Sequence, residues 1–305
     1  PATRLFSLSC VPSIRKLIIS VCDSWRFKHV EIPRVGRNRI QINRQRVTRM
    51  SDLTGAVQVT VFSPDDLELV KGGPSLRRGW IDAAVAARHP RDAALRSEVE
   101  RVLKQRNALL RSAHGRLDAD AEFTLEVWDA KLADVGERLR AARRAMLDDM
   151  APILATAYDA VAQQAAMVEC HYESSWNGPL AEALLTSRDL DVRRGVTTVG
   201  PHRDEIHVTI AGAPARTHAS QGEQRSLALA LRLAADGVLR TVGVAEPVLL
   251  LDDVFSELDP NRAGALLEAL PEGQRILTTA AGLPSAARPD HVIRVHDSAL
   301  TLESP

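Results

Sequence analysis

The most constraining feature of the sequence is an apolar segment that ends in two aspartates. Residues 248–251 read Val-Leu-Leu-Leu and are followed directly by Asp252 and Asp253. A short, continuous aliphatic run is typical of a strand that is buried on both faces of a parallel sheet. Carboxylates after such a strand emerge where open α/β sheets bind ligands, and there they can hold Mg²⁺ beside nucleotide phosphates. The alternative is a core strand that ends in an acidic turn.

A second motif, one helix upstream, has the composition of a helix start. Ser220-Gln221-Gly222-Glu223-Gln224 precedes an apolar run at 226–233, and Ser220 with Glu223 forms the pattern of a capping box. Gly222 lets a phosphate approach the backbone closely, and the free N–H groups of a helix start favour anions. An ordinary capped helix accounts for Ser220 and Glu223, but it does not account for the complete order of the five residues.

Together these motifs resemble those of ATP-binding-cassette (ABC) ATPases of the DNA-repair branch, and most closely those of the RecF family. Residues 220–224 resemble the signature motif, residues 249–253 the Walker B strand, and residues 256–259 the D-loop. Three further segments resemble hallmarks of the RecF family, namely residues 62–72, 103–107 and 200–204. The resemblance covers the chain from Arg37 to the C terminus.

The resemblance implies a nucleotide site that is shared by two heads, with ATP and Mg²⁺ as cofactors. The signature residues of one molecule (Ser220, Gln221, Gly222, Glu223 and Gln224) and its Asp259 are expected to contact ATP and the partner molecule across the dimer. Asp252 is expected to organise Mg²⁺. Asp253 is expected to serve with it in catalysis, as a general base or a carboxylate that positions water. Bound ATP would then hold together a homodimer that grips DNA.

The resemblance also implies a cellular role in DNA repair and recombination. Members of the RecF family bind double-stranded DNA and gapped junctions, cooperate with RecO and RecR, help to load the recombinase at gaps, and support replication and the SOS response. A transporter ATPase is disfavoured by Thr278 and Thr279, because such an enzyme usually has a histidine after this strand.

Composition sets limits on this role. The chain has 305 residues, 45% of them hydrophobic, which is enough for one large domain or two unequal ones. The formal net charge is zero, so binding to nucleic acid must depend on a local patch. Cys10, Cys22 and Cys170 are far apart and have no metal-ligand spacing, which favours a reducing cytoplasm. No apolar run approaches the roughly 20 residues of a membrane helix.

The predicted fold class is α/β, with an ABC-type ATPase head that is incomplete at its N terminus and an inserted helical arm. Residues 34–88 and 195–305 are assigned to the head, and residues 89–194 to the arm. Residues 1–33 do not match the family and are expected to be a non-native or disordered lead. Residues 1–50 carry 11 Lys and Arg against 2 Asp and Glu, so a basic arm on DNA is the other interpretation of this region. The first residue is Pro1, which suggests a fragment, a processed chain or a mistranslated start.

The phosphate loop of the family has no counterpart in the sequence. Such a loop ends in Gly-Lys-Ser/Thr and cradles phosphates with backbone N–H groups, but no Gly-Lys dipeptide occurs in this chain. Two hypotheses follow. The chain is a weak ABC-type ATPase if its nucleotide site is complete, or it is a truncated remnant without ATPase activity that binds only DNA or a partner.

The arm is predicted to consist of two long antiparallel helices. A heptad seam runs along the second helix and comprises Leu125, Trp128, Leu132, Val135, Leu139, Ala142 and Met146. Arg138, Arg140, Arg143 and Arg144 are expected on its solvated face, as ordinary surface charge or as a DNA contact. His202 has no second metal ligand at a useful spacing, so a structural role is favoured over metal binding.

Overall fold

The computed structural model describes the backbone of the N-terminal strands and nearly all of the chain from Val59 onward. The described ranges are 5–9, 16–23, 26–33, 39–42, 45–47, 59–242, 247–280, 282–296 and 299–303. The chain divides into two units, one formed by residues 1–56 with 286–305 and the other by residues 57–285. This division does not correspond to the predicted division into head and arm, because both the head and the arm lie largely within the second unit.

The first unit contains antiparallel strands. Strands β1 (Leu5–Ser9), β2 (Lys16–Asp23), β3 (Arg26–Pro33), β4 (Arg39–Ile42) and β5 (Gln45–Val47) form one sheet in sequence order, and β12 (Val292–His296) pairs with β13 (Ala299–Glu303). Three of these strands, β1, β2 and β3, lie within residues 5–33, the range that the sequence analysis assigns to the lead. The run at 17–22 is rich in β-branched residues, which favour extended backbone.

A parallel sheet organises the second unit. Its strands β6 (Val59–Phe62), β10 (Val248–Asp252) and β11 (Arg275–Thr278) run in the order β11-β10-β6. Leu249 and Leu251 in the middle strand are almost fully buried, as the apolar run predicts. In the register of the sheet, Asp252 lies opposite Thr278, so the carboxyl ends of these two strands coincide.

Helices and a second sheet surround this parallel sheet. The helices are α1 (Glu68–Lys71), α2 (Pro74–Arg88), α3 (Leu95–Ser112), α4 (Ala119–Ala162), α5 (Leu180–Arg194), α6 (Ala215–His218), α7 (Gln221–Thr241) and α8 (Pro260–Ala269). Strands β7 (Val168–Glu173), β8 (Glu205–Ile210) and β9 (Ala213–Pro214) form the antiparallel second sheet. Short 3₁₀ helices occupy Pro64–Leu67, Pro90–Asp92 and Val254–Glu257.

Helix α4 connects two hydrophobic cores. It has 44 residues and is therefore about 66 Å long. Its C-terminal half packs with α7, α8 and the sheets in one core, whereas its N-terminal half packs with α3 and α5 in the other. Most of the predicted heptad seam faces these cores, because Leu132 and Met146 are fully buried in them, and Leu125 is buried in a third, smaller cluster. Ala142 packs against both cores and marks the junction between them.

The predicted basic face of α4 is wrong in one important respect. Arg143 is only 3% exposed and forms a double hydrogen bond with Asp82 of α2. The other three arginines also have partners within the fold: Arg138 pairs with Asp134, Arg140 with Glu137, and Arg144 lies over the ring of Tyr172. Position 143 faces the junction between the two cores, where a charge needs a buried counter-ion. Sequence reasoning could not identify that ion, because Asp82 is 61 residues away.

Candidate nucleotide site

The start of α7 has the predicted capping box. The Ser220 hydroxyl oxygen accepts a hydrogen bond from the Glu223 backbone N–H at 3.3 Å, and the Glu223 carboxylate accepts one from the Ser220 N–H at 2.7 Å. These bonds to Ser220 hold the pKa of Glu223 below its usual value. Two of the orphan N–H groups of a helix start are thereby satisfied, and the others remain available to an anion.

Gln224 anchors the signature segment to the residues before it. Its side chain is 5% exposed, and its amide nitrogen donates to the carbonyl oxygens of Ala215 and Arg216 at 3.1 Å each. The other side-chain atom, Oε1, is buried and has no hydrogen-bond partner among the described residues. Gln221 is exposed on the first turn of α7. Within the signature segment, Gln224 is therefore held in place, whereas Gln221 faces solvent.

Arg262 covers Gly222, and sequence reasoning did not identify it. A Cβ atom at Gly222 would lie 2.9 Å from Nη2 and 3.0 Å from Cζ of Arg262, so only glycine fits there without a shift of the arginine. Asp259 caps α8, since its Oδ1 accepts from the N–H groups of Asn261 and Arg262 at 3.1 and 3.0 Å. Its Oδ2 lies 3.7 Å from Arg262 Nε. The end of the D-loop and the start of the signature helix thus meet at one guanidinium.

The two predicted acidic residues lie at the end of β10 beside Thr278. Asp252 is exposed, and its Oδ1 accepts a hydrogen bond from the Thr278 hydroxyl at 2.6 Å. The backbone N–H of Asp253 donates to the Thr278 carbonyl at 3.0 Å. Asp253 has a left-handed backbone, with φ of 50°, and its Oδ1 is buried without a hydrogen-bond partner among the described residues.

The donor set at this strand end suits a hard cation. Carboxylate oxygens are the ligands that Mg²⁺ prefers, and Mg²⁺ commonly keeps several waters and takes only one or two carboxylates from the protein. Asp252 and the unpartnered oxygen of Asp253 fit that requirement. Within the ranges that the structure describes, no group of three or more His, Cys, Asp or Glu side chains could hold a metal by itself.

The predicted site residues fall into two groups. Ser220, Gly222, Glu223 and Asp259 gather around Arg262, whereas Asp252 and Asp253 gather around Thr278. A signal for Arg262 was present in the sequence, because it follows the helix-capping Asp259 by one turn. The contact of Arg262 with Gly222 was not predictable, since it joins residues 40 positions apart.

The hallmark segments contact other parts of the fold. Arg77, which follows the first of these segments, donates to the Gly72 carbonyl at 2.7 Å and to Glu205 at 3.0 Å, and Arg78 donates to the Asp204 carbonyl at 2.7 Å. His202 Nε2 lies 3.1 Å from the Thr197 carbonyl, and burial lowers the pKa of His202 to about 4. A neutral histidine bonded to the backbone fits the structural role.

Comparison with curated proteins identifies close relatives. The DNA replication and repair protein RecF of Frankia alni is 43% identical over 262 residues, which cover 80% of this chain and 69% of that protein. RecF of Streptomyces avermitilis is 42% identical over 259 residues, with the same two coverages of 80% and 69%. No family model matches the chain.

Solved structures show the same fold. The recombination mediator protein RecF of the RecFOR pathway, in a structure named with ATP, matches with a TM-score of 0.80 and 26% identity over 95% of this chain and 79% of that one. An Smc head bound to the C-terminal winged-helix domain of ScpA matches with a TM-score of 0.53 over 97% of this chain and 76% of that chain; at 14% identity this similarity concerns the fold alone.

The mixed sheets and helices, together with these structural matches, define the class: the chain has the fold of an ABC-type ATPase head, as RecF and Smc heads do. The predicted fold class is confirmed. At 42–43% identity over more than two thirds of its relatives, the chain belongs to the RecF family of DNA replication and repair proteins. None of the helices that the structure describes has both the length and the apolar character needed to cross a membrane.

Proposed function

We propose that this chain is an ATP-dependent, DNA-binding repair protein whose nucleotide-driven homodimer grips DNA. The observation that carries the proposal is the presence of two sets of residues: the signature segment at the start of α7, and Asp252 and Asp253 at the end of β10. A capped helix start with a glycine and a strand end with two carboxylates are two of the parts that a shared nucleotide site requires. The solved structure of a RecF relative that is described as RecF-ATP supports ATP as the ligand.

In this proposal each group serves a different part of ATP. Ser220 and Gly222 bind the terminal phosphate of a nucleotide that is held by the partner molecule, because free N–H groups and the helix dipole favour an anion there. Asp252 and Asp253 hold Mg²⁺ and position water at the other site. The magnesium ion would supply charge neutralisation for the phosphates. Asp253 has a shorter side chain than glutamate, which suits slow hydrolysis that times a clamp.

The proposed partners follow from family membership and from the RecFOR pathway of the solved relative. They are double-stranded DNA, gapped DNA junctions, RecO and RecR. The protein would act in the cytoplasm, where it helps to load the recombinase at gaps and supports replication and the SOS response. Since the net charge of the chain is zero, DNA affinity must come from a local surface, and it should fall steeply with added salt.

Nucleotide-driven dimerisation tests the proposal. Sedimentation velocity with Mg²⁺ and a slowly hydrolysed ATP analogue should show a dimer for the wild type and a monomer for Asp252→Asn. Asp148→Asn on the exposed surface of α4 is the matched control, because it makes the same chemical change away from the site. Equal dimerisation of Asp252→Asn and the wild type would refute the assigned role.

A second candidate is a module that binds DNA or a protein partner without binding ATP itself. The specific observation in its favour is the absence of a Gly-Lys dipeptide from the sequence. Equilibrium binding of a fluorescent ATP analogue with Mg²⁺ separates the two functions. Micromolar affinity favours the clamp, and no binding up to millimolar concentration favours the module. Hydrolysis of ATP by the purified chain would eliminate the module.

A further inference from the structure

Residues 195–204 lie against helix α3 through a buried threonine. Thr197 is fully buried, and its hydroxyl group accepts a hydrogen bond from Arg106 Nη1 at 2.9 Å and donates one to Asn107 Oδ1 at 2.6 Å. The backbone N–H of Thr197 donates to the same Asn107 oxygen at 2.8 Å. The hallmark segments 103–107 and 200–204, for which the proposed nucleotide site has no use, are therefore connected through Thr197.

The same threonine is part of the strongest charge cluster of the arm. Arg106 is fully buried and bonds Asp129 of α4 and Asp191 of α5, each at 2.7 Å. Thr198 adds two hydrogen bonds to Asp191 Oδ1, at 2.9 Å from its backbone N–H and 2.5 Å from its hydroxyl. Three helices of the arm and the segment 195–204 thus meet at one guanidinium.

The segment also holds the middle of α4. Pro201 packs beside Gly136, where a Cβ atom would lie 3.3 Å from the proline Cδ. One heptad further along α4, Arg143 Nη1 donates to the Pro201 carbonyl at 2.8 Å. Gly136 and Arg143 lie on the same face of the helix, so the turn is seated between them. Two hydrogen bonds to the Asp82 carboxylate, at 2.7 and 2.9 Å, hold Arg143 in turn.

Asp204 fastens the other end of the segment to the rest of the unit. It is 1% exposed and accepts hydrogen bonds from the Tyr172 hydroxyl and, at 2.7 Å, from the Ser175 backbone N–H. Its carbonyl accepts from Arg78 of α2. The segment therefore has polar connections to α2 and to the end of β7, as well as to α3, α4 and α5.

The position of this network gives it a role that apolar packing cannot provide. The two hydrophobic cores meet at Ala142, next to Arg143 on α4. Apolar contacts are not directional, whereas hydrogen bonds between charged groups have defined geometry and are the stronger kind. The polar bonds therefore add a directional constraint at the junction that burial of apolar area alone does not supply.

We propose that residues 195–204 are a bracket that sets the direction of the arm helices relative to the core that contains α7, with Thr197, Pro201 and Asp204 as positioning residues. The two cores can then transmit a change of position from one to the other without a change of fold. This role does not depend on ATP binding, so it stands apart from the proposed function.

Distance measurements test the bracket directly. Spin labels are attached at Asp120→Cys, at the start of α4, and at Glu268→Cys, on α8. The distance between the two labels reports the direction of the arm. Cys10 and Cys22 are changed to serine. Cys170 is changed to alanine, because its thiol is only partly buried and would also take the label. The wild type should give one narrow distance distribution.

Two isosteric changes should broaden that distribution. The double variant Thr197→Val, Tyr172→Phe loses a bond to each end of the bracket, and we expect its distance distribution to be at least twice as wide. Thr186→Val, an exposed change on α5, is the matched control and should leave the width unchanged. A double variant that folds and keeps the wild-type width would overturn the proposal.

Hydrogen exchange in the wild type covers the case in which the double variant does not fold. The backbone N–H groups of Ser175, Thr197 and Thr198 should exchange as slowly as those in the middle of α4. Exchange at the rate of exposed loops would contradict a bracket. Failure of the wild type to bind nucleotide or DNA would refute only the proposed function, because both tests of the bracket are made on the protein alone.

Discussion

Replacement of Arg106 by methionine should destabilise the second unit more than any single surface change. The guanidinium is fully buried and bonds Asp129 and Asp191 at 2.7 Å each and the Thr197 hydroxyl at 2.9 Å. Methionine fills much of the volume but provides no donor. Asp191, which is fully buried, would then remain without a counter-ion, whereas Asp129 would keep its pair with Arg188 Nη2 at 3.1 Å.

The size of the effect follows from that uncompensated charge. Removal of one partner from a buried ion pair costs about 3–5 kcal/mol. For a unit of this size, that loss corresponds to a fall in melting temperature of roughly 6–20 °C. Urea unfolding followed by circular dichroism measures the change, with an unaltered m-value as the sign that the folded state is the same. Arg96→Met, in an exposed pair with Glu100, should change stability by less than about 1 kcal/mol.

A second substitution identifies the cause. Asp191→Asn removes the carboxylate that Arg106→Met leaves without a counter-ion, so the double variant should be at least about 1 kcal/mol more stable than the sum of the two single effects. Strict additivity would mean that the cost comes from lost packing. A loss of less than about 1 kcal/mol for Arg106→Met itself would refute the view that this cluster holds the arm helices together.

Two further predictions concern the signature segment and the bracket. Ser220→Ala removes the cap of α7 and should lower the unfolding free energy by about 1 kcal/mol and weaken nucleotide-driven dimerisation; dimerisation as strong as that of the wild type in sedimentation velocity would contradict the assigned role. Burial lowers the pKa of His202 from 6.5 to about 4, so the unfolded chain takes up a proton first as the pH falls. The contribution of neutral His202 to the free energy of unfolding is complete above pH 6.5. It should decline by up to about 3 kcal/mol as the pH falls towards 4. Urea unfolding should show that His202→Asn lacks this part of the pH dependence, and an equal slope in both proteins would contradict the assignment.

The sequence was informative wherever a signal is local. The capping box at Ser220, the strand that ends at Asp252 and the heptad seam of α4 are all readable from spacing, because the periods of helices and strands constrain which residues share a face. The helix start and the strand are present with bounds within one or two residues of the prediction, and the seam lies on α4, which extends beyond it at both ends.

Long-range polar contacts were not readable in this way. Arg143 has the sequence context of a surface residue, yet its partner Asp82 lies 61 positions away, and Arg106 and Asp191 are 85 positions apart. A charged side chain is buried only where the fold supplies its counter-ion, and no sequence period records that. The contact between Arg262 and Gly222 was missed for the same reason.

Asp253 joins backbone strain and an unpaired oxygen in one residue, and this combination yields a last prediction. Its φ of 50° is unfavourable for a residue with a side chain, and its Oδ1 is buried without a hydrogen bond among the described residues. Both features reduce stability. Asp253→Gly removes both and should therefore raise the unfolding free energy by about 1 kcal/mol, measured by urea unfolding.

The same substitution should remove function. If Asp253 holds magnesium or positions water, Asp253→Gly should abolish hydrolysis in a protein that is more stable than the wild type. Ala211→Gly is the matched control, since Ala211 has a φ of 51° in the turn after β8 and no role in the site; it should gain stability and keep nucleotide binding. A less stable Asp253→Gly would mean that the aspartate is held for structural reasons. A gain in stability with a loss of activity would mean that the strained carboxylate is maintained for chemistry, because nothing in the fold itself benefits from it.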